Sequence, residues 1–127
     1  MAFDPHYANV SLLLHCDGAD GSTTFTDNSP TPKTVTASGS SAISTAQSKF
    51  GGASLGLTGG FLSVANSADF DTATGDFTVE FWLRPTSLAA AAILFNKANA
   101  TGAGYPYQAY VTTWGGLAFR SYSAFGA

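Results

Sequence analysis

Charged side chains are scarce in this sequence of 127 residues. Lysine, arginine, aspartate and glutamate make up 10% of it, against about 25% in an average protein. The five basic residues are spread along the chain and the net charge is −3, so no basic cluster is available to neutralise a nucleic-acid backbone. Nucleic-acid binding is therefore excluded as an expected function.

Cysteine is nearly absent, since Cys16 is the only one. A single cysteine excludes an internal disulfide framework and a cysteine-rich zinc site. We interpret Cys16 as a small buried apolar side chain.

Long apolar runs are also missing. The longest one, from Leu88 to Phe95, is far shorter than the roughly 20 residues that cross a bilayer. The first residues, Met1 to His6, have neither the basic nor the apolar part of a secretory leader. We therefore expect a protein that is made in the cytoplasm, without Sec export and without membrane insertion.

Aromatic and small residues are abundant instead. Ten Phe, five Tyr and two Trp, with 45% hydrophobic residues overall, exclude a disordered chain. Fourteen Gly favour short strands joined by tight turns. The length favours one domain, and the sequence has no internal repeat or linker.

An alternation of apolar and polar residues predicts β-strands along most of the chain. It is clearest between Asp76 and Arg84, where every second residue from Phe77 to Leu83 is apolar. The predicted strands are Val10–Cys16, Thr34–Ala37, Ser54–Leu57, Phe61–Val64, Asp76–Arg84, Ile93–Asn96, Tyr107–Thr113 and Leu117–Tyr122.

Glycine-rich turns connect these strands. Gly59-Gly60 predicts a hairpin between the strands on its two sides, and the last two strands form another across Trp114–Gly116. Ser38–Ser41 is predicted as a polar loop, and Asn66–Thr74 as a loop with room for one helical turn. Short strands without a convincing helix predict an all-β sandwich or barrel.

Three blocks of the sequence resemble the concanavalin A-like lectin/glucanase superfamily, and in particular the laminin G-like domains of bacteriophage virion proteins. The blocks are Val10–Ser22, Lys49–Leu57 with Phe61–Val64, and Gly75–Pro85. They follow the family's order over roughly residues 8 to 123. The resemblance implies an antiparallel jelly-roll β-sandwich, with residues 1–127 as a single domain and residues 1–8 as an N-terminal arm.

The sequence departs from the pattern of this family at its C-terminal side. Domains of this family continue with further strands after the last hairpin, and none of these follows Ser123. We therefore expect a jelly roll that lacks its C-terminal strands, which leaves sheet edges open. Three explanations remain: a reduced fold, a longer natural chain, or completion of the sheets by another chain.

Glycoside hydrolysis is the first function that the resemblance raises. Glucanases of this superfamily carry a Glu-x-Asp-x-Glu pattern on one strand, and retaining hydrolysis needs two carboxyl groups about 5 Å apart. Here the matching strand begins with Glu80, but Trp82 and Arg84 stand where the other carboxylates would be. We therefore expect no enzymatic activity and no catalytic residue.

Calcium binding is the second function. Laminin G-like domains often hold Ca²⁺ at a loop rim, and Asp17, Asp20 and Asp27 lie close together in predicted turns. The other interpretation is that these aspartates only form turns. We expect no obligatory cofactor and keep a calcium site at the three aspartates as a hypothesis.

Glycan binding is the third function. Sugar sites combine exposed aromatic rings with amide groups. The candidate residues are Tyr105, Tyr107, Gln108, Tyr110 and Trp114, which lie in or near the last hairpin. The other interpretation is that these aromatic residues pack at the rim of the sandwich.

These observations and the resemblance together predict a structural or adhesion protein of a tailed bacteriophage particle. It would lie on the virion surface as a head decoration, neck or tail fibre component. Its partners would be other virion structural proteins, further copies of itself, with a trimer favoured, and a host surface glycan. The alternatives are a free-standing carbohydrate-binding lectin and, with less support, a glycoside hydrolase.

Overall fold

The structure is a computed structural model that describes residues 4–71, 75–87, 91–97 and 107–121. Within these ranges the regular structure is nearly all β and its strand pairs are antiparallel, which confirms the predicted class. The strands are β1 (Val35–Ser38), β2 (Ser41–Ser44), β3 (Ser54–Leu57), β4 (Phe61–Val64), β5 (Ala92–Lys97), β6 (Tyr107–Val111) and β7 (Leu117–Ser121). The chain divides into two compact units, Met1–Asp76 and Phe77–Ala127, which are described in turn.

Two short 3-10 helices, Tyr7–Asn9 and Ala68–Phe70, lie in the N-terminal unit. The second lies where the sequence predicts a helical turn. The Ser67 hydroxyl caps this helix by accepting the N–H of Asp69 at 3.2 Å.

The four strands of the N-terminal unit form one bent, two-stranded ribbon. β1 pairs with β4, and β2 pairs with β3. The last pair of β1 with β4 is Ser38↔Phe61, and the first pair of β2 with β3 is Ser41↔Leu57. Between these two pairs the chain moves on by three residues on the β1–β2 side and by four residues on the β3–β4 side. β3 and β4 are therefore consecutive lengths of the same side. The predicted hairpin between them is wrong, although the bounds predicted for both strands are confirmed.

Glycines lie on both sides of the ribbon at the bend, with Gly59 on the side that has the extra residue and Gly39 on the other side. Gly39 and Gly59 have φ values of 62° and 109°, which are conformations that other residues rarely adopt. Across the bend, the N–H of Thr58 donates to the carbonyl of Ser40 at 3.2 Å. The bend is thus a β-bulge. The same pair of glycines is also typical of a hairpin turn, so the sequence alone did not distinguish the two.

Ser41 fixes the inner side of the bend. It is 1% exposed, and its hydroxyl lies 2.7 Å from the carbonyl oxygen of Ser38 and 3.1 Å from that of Phe61. The two strand pairs are therefore linked by a side chain as well as by the backbone. The sequence prediction of a polar loop over Ser38–Ser41 is wrong, because Ser41 begins β2.

The hydrophobic core of the N-terminal unit is small. Its buried members are Phe25, Ile43 and Ala53. Five partly buried side chains pack around them: Cys16, Val35, Ala37, Leu55 and Leu62. Burial raises the pKa of the Cys16 thiol, which agrees with its interpretation as an apolar packing residue.

The predicted first strand, Val10–Cys16, is wrong. In the structure this segment makes one isolated bridge, between Leu14 and Asp27. The N–H of Leu13 donates to the Asp27 carboxylate at 3.0 Å instead of to a strand. Cys16 has a φ of 56°, which ends the extended conformation. Leu13 thus donates to the Asp27 side chain, whereas the alternating pattern predicted that it donates to the backbone of a neighbouring strand.

The C-terminal unit contains a three-stranded sheet in the order β5-β6-β7. The predicted hairpin of β6 and β7 is confirmed, and Gly115 turns it with a φ of 78°. Strand β5 agrees with the prediction to within one residue at each end. Its register with β6 shifts between Ile93 and Phe95.

The predicted strand Asp76–Arg84 is wrong, because within the described residues this segment has no strand pairing. Its alternate aromatic side chains contact the sheet instead. The Phe77 ring lies 5.2 Å from that of Tyr107, and the Phe81 ring lies 6.0 Å from that of Phe95, between centroids. The alternating pattern therefore reflects side-chain packing on a sheet face. Trp82, on the other side of this alternation, is 70% exposed.

Candidate functional site

Strand β6 carries three of the five residues predicted for glycan binding. Successive side chains of a strand point to opposite faces of its sheet. Tyr107 therefore lies on the same face as Ala109 and Val111, and Gln108 and Tyr110 lie on the other. The structure splits the predicted set between two surfaces, which we call the apolar face and the polar face of this sheet.

The polar face brings Gln108 and Tyr110 together with Arg120 of β7. Arg120 pairs with Gln108 in the β6–β7 register, and its guanidinium carbon lies 4.8 Å from the centroid of the Tyr110 ring. This is the geometry of a cation–π contact. A depression of about 170 Å³ is lined by Ala91, Ala92, Ile93, Gln108, Tyr110 and Arg120.

The apolar face carries aromatic and aliphatic side chains from the sheet and from the segment that crosses it. A depression of about 360 Å³ lies there. We define the apolar face by the residues Phe77, Val79, Phe81, Phe95, Ala109, Leu117 and Phe119. None of these side chains is charged. Leu117 is 72% exposed and Phe119 is 52% exposed, so much of this surface is open to solvent.

Trp114 lies apart from both depressions, in the turn between β6 and β7. It is 93% exposed. The turn is fixed by the N–H of Gly115, which donates to the Thr112 carbonyl at 3.0 Å, and by the N–H of Thr112, which donates to the Gly116 carbonyl at 2.8 Å. Tyr105, the remaining residue of the predicted set, lies outside the described residues.

The three aspartates predicted as calcium ligands have separate contacts. Asp17 lies against the backbone of Gly51. Asp20 accepts from the N–H of Thr45 at 2.9 Å. In the described part of the chain, no group of three or more His, Cys, Asp or Glu side chains is placed to hold a metal ion. The structure therefore does not assemble these residues into one cation site.

Asp27 is a buried hydrogen-bond acceptor. It is 4% exposed and accepts from the N–H groups of Leu13, Ser29 and Lys33 and from the Ser29 hydroxyl, at 2.8 to 3.0 Å. Burial would raise the pKa of this carboxyl, but the hydrogen bonds together outweigh burial and lower the pKa. Four donors surround the carboxylate, and through them Asp27 organises the loop.

Lys33 extends this loop network, and sequence reasoning missed it. Its ammonium group donates to the Ser11 carbonyl at 2.7 Å and pairs with the Asp69 carboxylate at 2.8 Å. The hydrogen bond and the charge of Lys33 lower the pKa of the Asp69 carboxyl. These contacts join segments that are distant in sequence, so spacing along the chain gave no signal for them.

Comparison with known proteins assigns no family to this chain. No family model matches the sequence. No curated protein matches it. No solved structure matches the fold. Among the described residues, no helix has the length and hydropathy that membrane crossing requires.

Proposed function

We propose that this chain is a non-catalytic assembly and adhesion module of a tailed bacteriophage particle. It would lie on the virion surface as a head decoration, neck or tail fibre component. Its fold would be a jelly-roll β-sandwich over residues 1–127, with residues 1–8 as an arm. The proposal draws on the resemblance of three sequence blocks to laminin G-like virion domains and on the apolar face.

The observation that carries the assembly role is the exposure of the apolar face. Five of its side chains are between 45% and 72% exposed: Phe77, Val79, Phe81, Leu117 and Phe119. Contiguous exposed apolar surface of this kind marks sites of protein association. The seven residues that define the face carry no charge, so two copies can bring these residues together without burying an unpaired charge among them. We propose association of identical chains through this face, with a trimer favoured, next to other virion proteins.

Light scattering after size-exclusion chromatography tests this role with one variant and a matched control. Leu117→Glu places a carboxylate at the most exposed position of the apolar face, where burial of an unpaired charge opposes association. We expect the wild-type chain to be oligomeric and the variant to associate at least about tenfold more weakly. Thr113→Glu adds the same charge at the exposed β6–β7 turn and should leave association unchanged.

Circular dichroism of each variant establishes that it is folded. A wild-type chain that stays monomeric at all concentrations contradicts self-association. An oligomer that Leu117→Glu leaves intact contradicts the assignment of the interface to this face.

A lectin is the second candidate, and the exposure of Trp114 favours it. An aromatic ring that is 93% exposed on a turn can stack on a pyranose ring. Trp114→Ala should abolish binding to a glycan array and change the free energy of unfolding by less than about 0.5 kcal/mol. Unchanged array binding in this variant contradicts the assignment to Trp114. Tyr107→Ala is a less clean test, because Tyr107 contacts Phe77 and Phe95 on the apolar face.

A further inference from the structure

The segment from Phe77 to Leu83 has the sequence of a β-strand without a partner strand. Every second side chain in it is apolar, which is the pattern of a strand that packs one face. Within the described residues the segment belongs to no ladder, although its Phe77 and Phe81 rings pack on the sheet. An extended segment with an open edge is a template for pairing with another chain.

The backbone groups of Val79, Phe81 and Leu83 form one edge of this segment, because alternate residues of a strand direct their N–H and C=O groups to the same side. In the part of the chain that the structure describes, none of these groups has a hydrogen-bond partner. The three residues are between 45% and 49% exposed. Pro85 follows shortly after and has no N–H, so it limits a ladder at this end. This edge can therefore receive a second strand.

The side chains of Glu80 and Arg84 provide the charges that select the partner. Both residues are exposed, and neither has an ion-pair partner among the described residues. In an antiparallel pair of two such segments, a twofold axis between the two Trp82 residues places Glu80 of each chain opposite Arg84 of the other. Opposite charges stabilise a cross-strand pair and like charges destabilise it. A twofold axis between the two Glu80 residues would instead bring two carboxylates together.

We infer that two copies of this chain pair through the edge of this segment, in an antiparallel ladder from Val79 to Pro85. Phe81 of each chain exchanges N–H···O=C bonds with Leu83 of the other, and the two ion pairs set the register. The apolar side chains of both copies then share one face, as the period of two requires. The contact goes beyond the proposed function, because it uses a strand edge and not the apolar face, and it has twofold symmetry.

Light scattering in a Leu117→Glu background tests this contact apart from the apolar face. We expect Leu117→Glu to reduce the wild-type oligomer to a dimer, because the strand edge is unchanged in it. Adding Glu80→Arg should weaken this dimer about tenfold, because two attractive pairs become repulsive, and adding Arg84→Glu should do the same. A one-to-one mixture of these two variants should associate like the Leu117→Glu chain, because each arginine again lies opposite a glutamate.

Asp76→Arg is the matched control, since it makes the charge change of Glu80→Arg outside the ladder and should leave the dimer unchanged. Circular dichroism establishes that each variant is folded. Amide exchange measured by NMR locates the ladder: exchange at Phe81 and Leu83 should slow as the dimer forms, and exchange at Glu80 should stay the same, because its N–H points away from the paired edge.

Three results would each overturn the inference. They are a monomeric Leu117→Glu chain that is folded, a mixture that associates no better than its two components, and a loss of association in Asp76→Arg equal to that in Glu80→Arg. Charge variants that weaken association while Leu117→Glu has no effect would support the strand-edge contact and contradict the apolar-face contact.

Discussion

Replacing Asp27 by asparagine is expected to lower the free energy of unfolding of the N-terminal unit by about 3 kcal/mol. The carboxylate is 4% exposed and accepts four hydrogen bonds. An asparagine side chain offers one acceptor oxygen, and its NH₂ group would face N–H donors. Buried donors would lose their acceptor, and the loop that joins Leu13 to Lys33 would lose the group that organises it.

Chemical denaturation monitored by circular dichroism measures this effect. Asp76→Asn is the matched control, because it makes the same chemical change at an exposed aspartate of the same unit and should shift stability by less than about 0.5 kcal/mol. An Asp27→Asn variant that is as stable as this control contradicts the organising role of Asp27.

The same carboxylate predicts an acid dependence of stability. The pKa of Asp27 is lower in the folded chain than in the unfolded chain, and so is that of Asp69. Their contributions are therefore complete above the unfolded value of about 3.9 and are lost as the pH falls through the lower folded values. Denaturation below pH 5 should show a fall in stability that is smaller in Asp27→Asn. An equal fall in both proteins would contradict the assignment to Asp27.

Replacing Gly60 by alanine is expected to destabilise the bent ribbon by about 3 kcal/mol. A Cβ atom at Gly60 would overlap the carbonyl oxygen of Ser38 and the hydroxyl of Ser41, and it would come within 2.8 Å of the amide nitrogen of Ser40. Two of these atoms are backbone, so a rotamer change cannot relieve the overlap. The bend must open, which separates the β1–β4 pair from the β2–β3 pair.

Gly56 provides the control for this substitution. It lies in β3 of the same ribbon, and a Cβ atom there would make ordinary contacts, at 3.4 Å to the Ala42 carbonyl oxygen and 3.5 Å to the Ser44 Cβ. Gly56→Ala should therefore change the denaturation midpoint much less than Gly60→Ala. Equal midpoints for the two variants would show that the bend is not held by close backbone approach.

The ribbon shows which parts of the fold could be predicted from sequence. The bounds of β3 and β4 follow from short alternating runs between glycines, and the structure has the same bounds. Their pairing could not be predicted, because Gly59-Gly60 fits a hairpin turn and a bulge equally well. The choice depends on partners outside the local sequence, which for β4 are more than 20 residues away, and no local pattern encodes them.

The alternating apolar residues from Phe77 to Leu83 illustrate a second limit of prediction from sequence. The period of two was correctly detected, but it predicts which side chains share a face and not whether the backbone finds a partner strand. Here the aromatic side chains pack on the sheet, and within the described residues the segment forms no ladder.

The candidate sites could also be predicted only in part from the sequence. Gln108 and Tyr110 could be named as candidate binding residues by type, and the period of a strand places them on one face. Arg120 was missed, because its contact with Tyr110 depends on the register of the hairpin. From the sequence, Asp27 could only be named as a hypothetical calcium ligand or as a turn former, because residue type does not reveal whether a carboxylate faces donors or a cation.

Amide hydrogen exchange at low and high protein concentration tests the assembly account most directly, because it locates the contact on the chain. If the apolar face is the interface between copies, exchange in β7 (Leu117–Ser121) and in Phe77–Phe81 should slow as concentration rises. Exchange in β1 (Val35–Ser38) of the N-terminal unit should stay the same. Exchange in β7 that is independent of concentration would contradict the proposal that identical chains associate through this face.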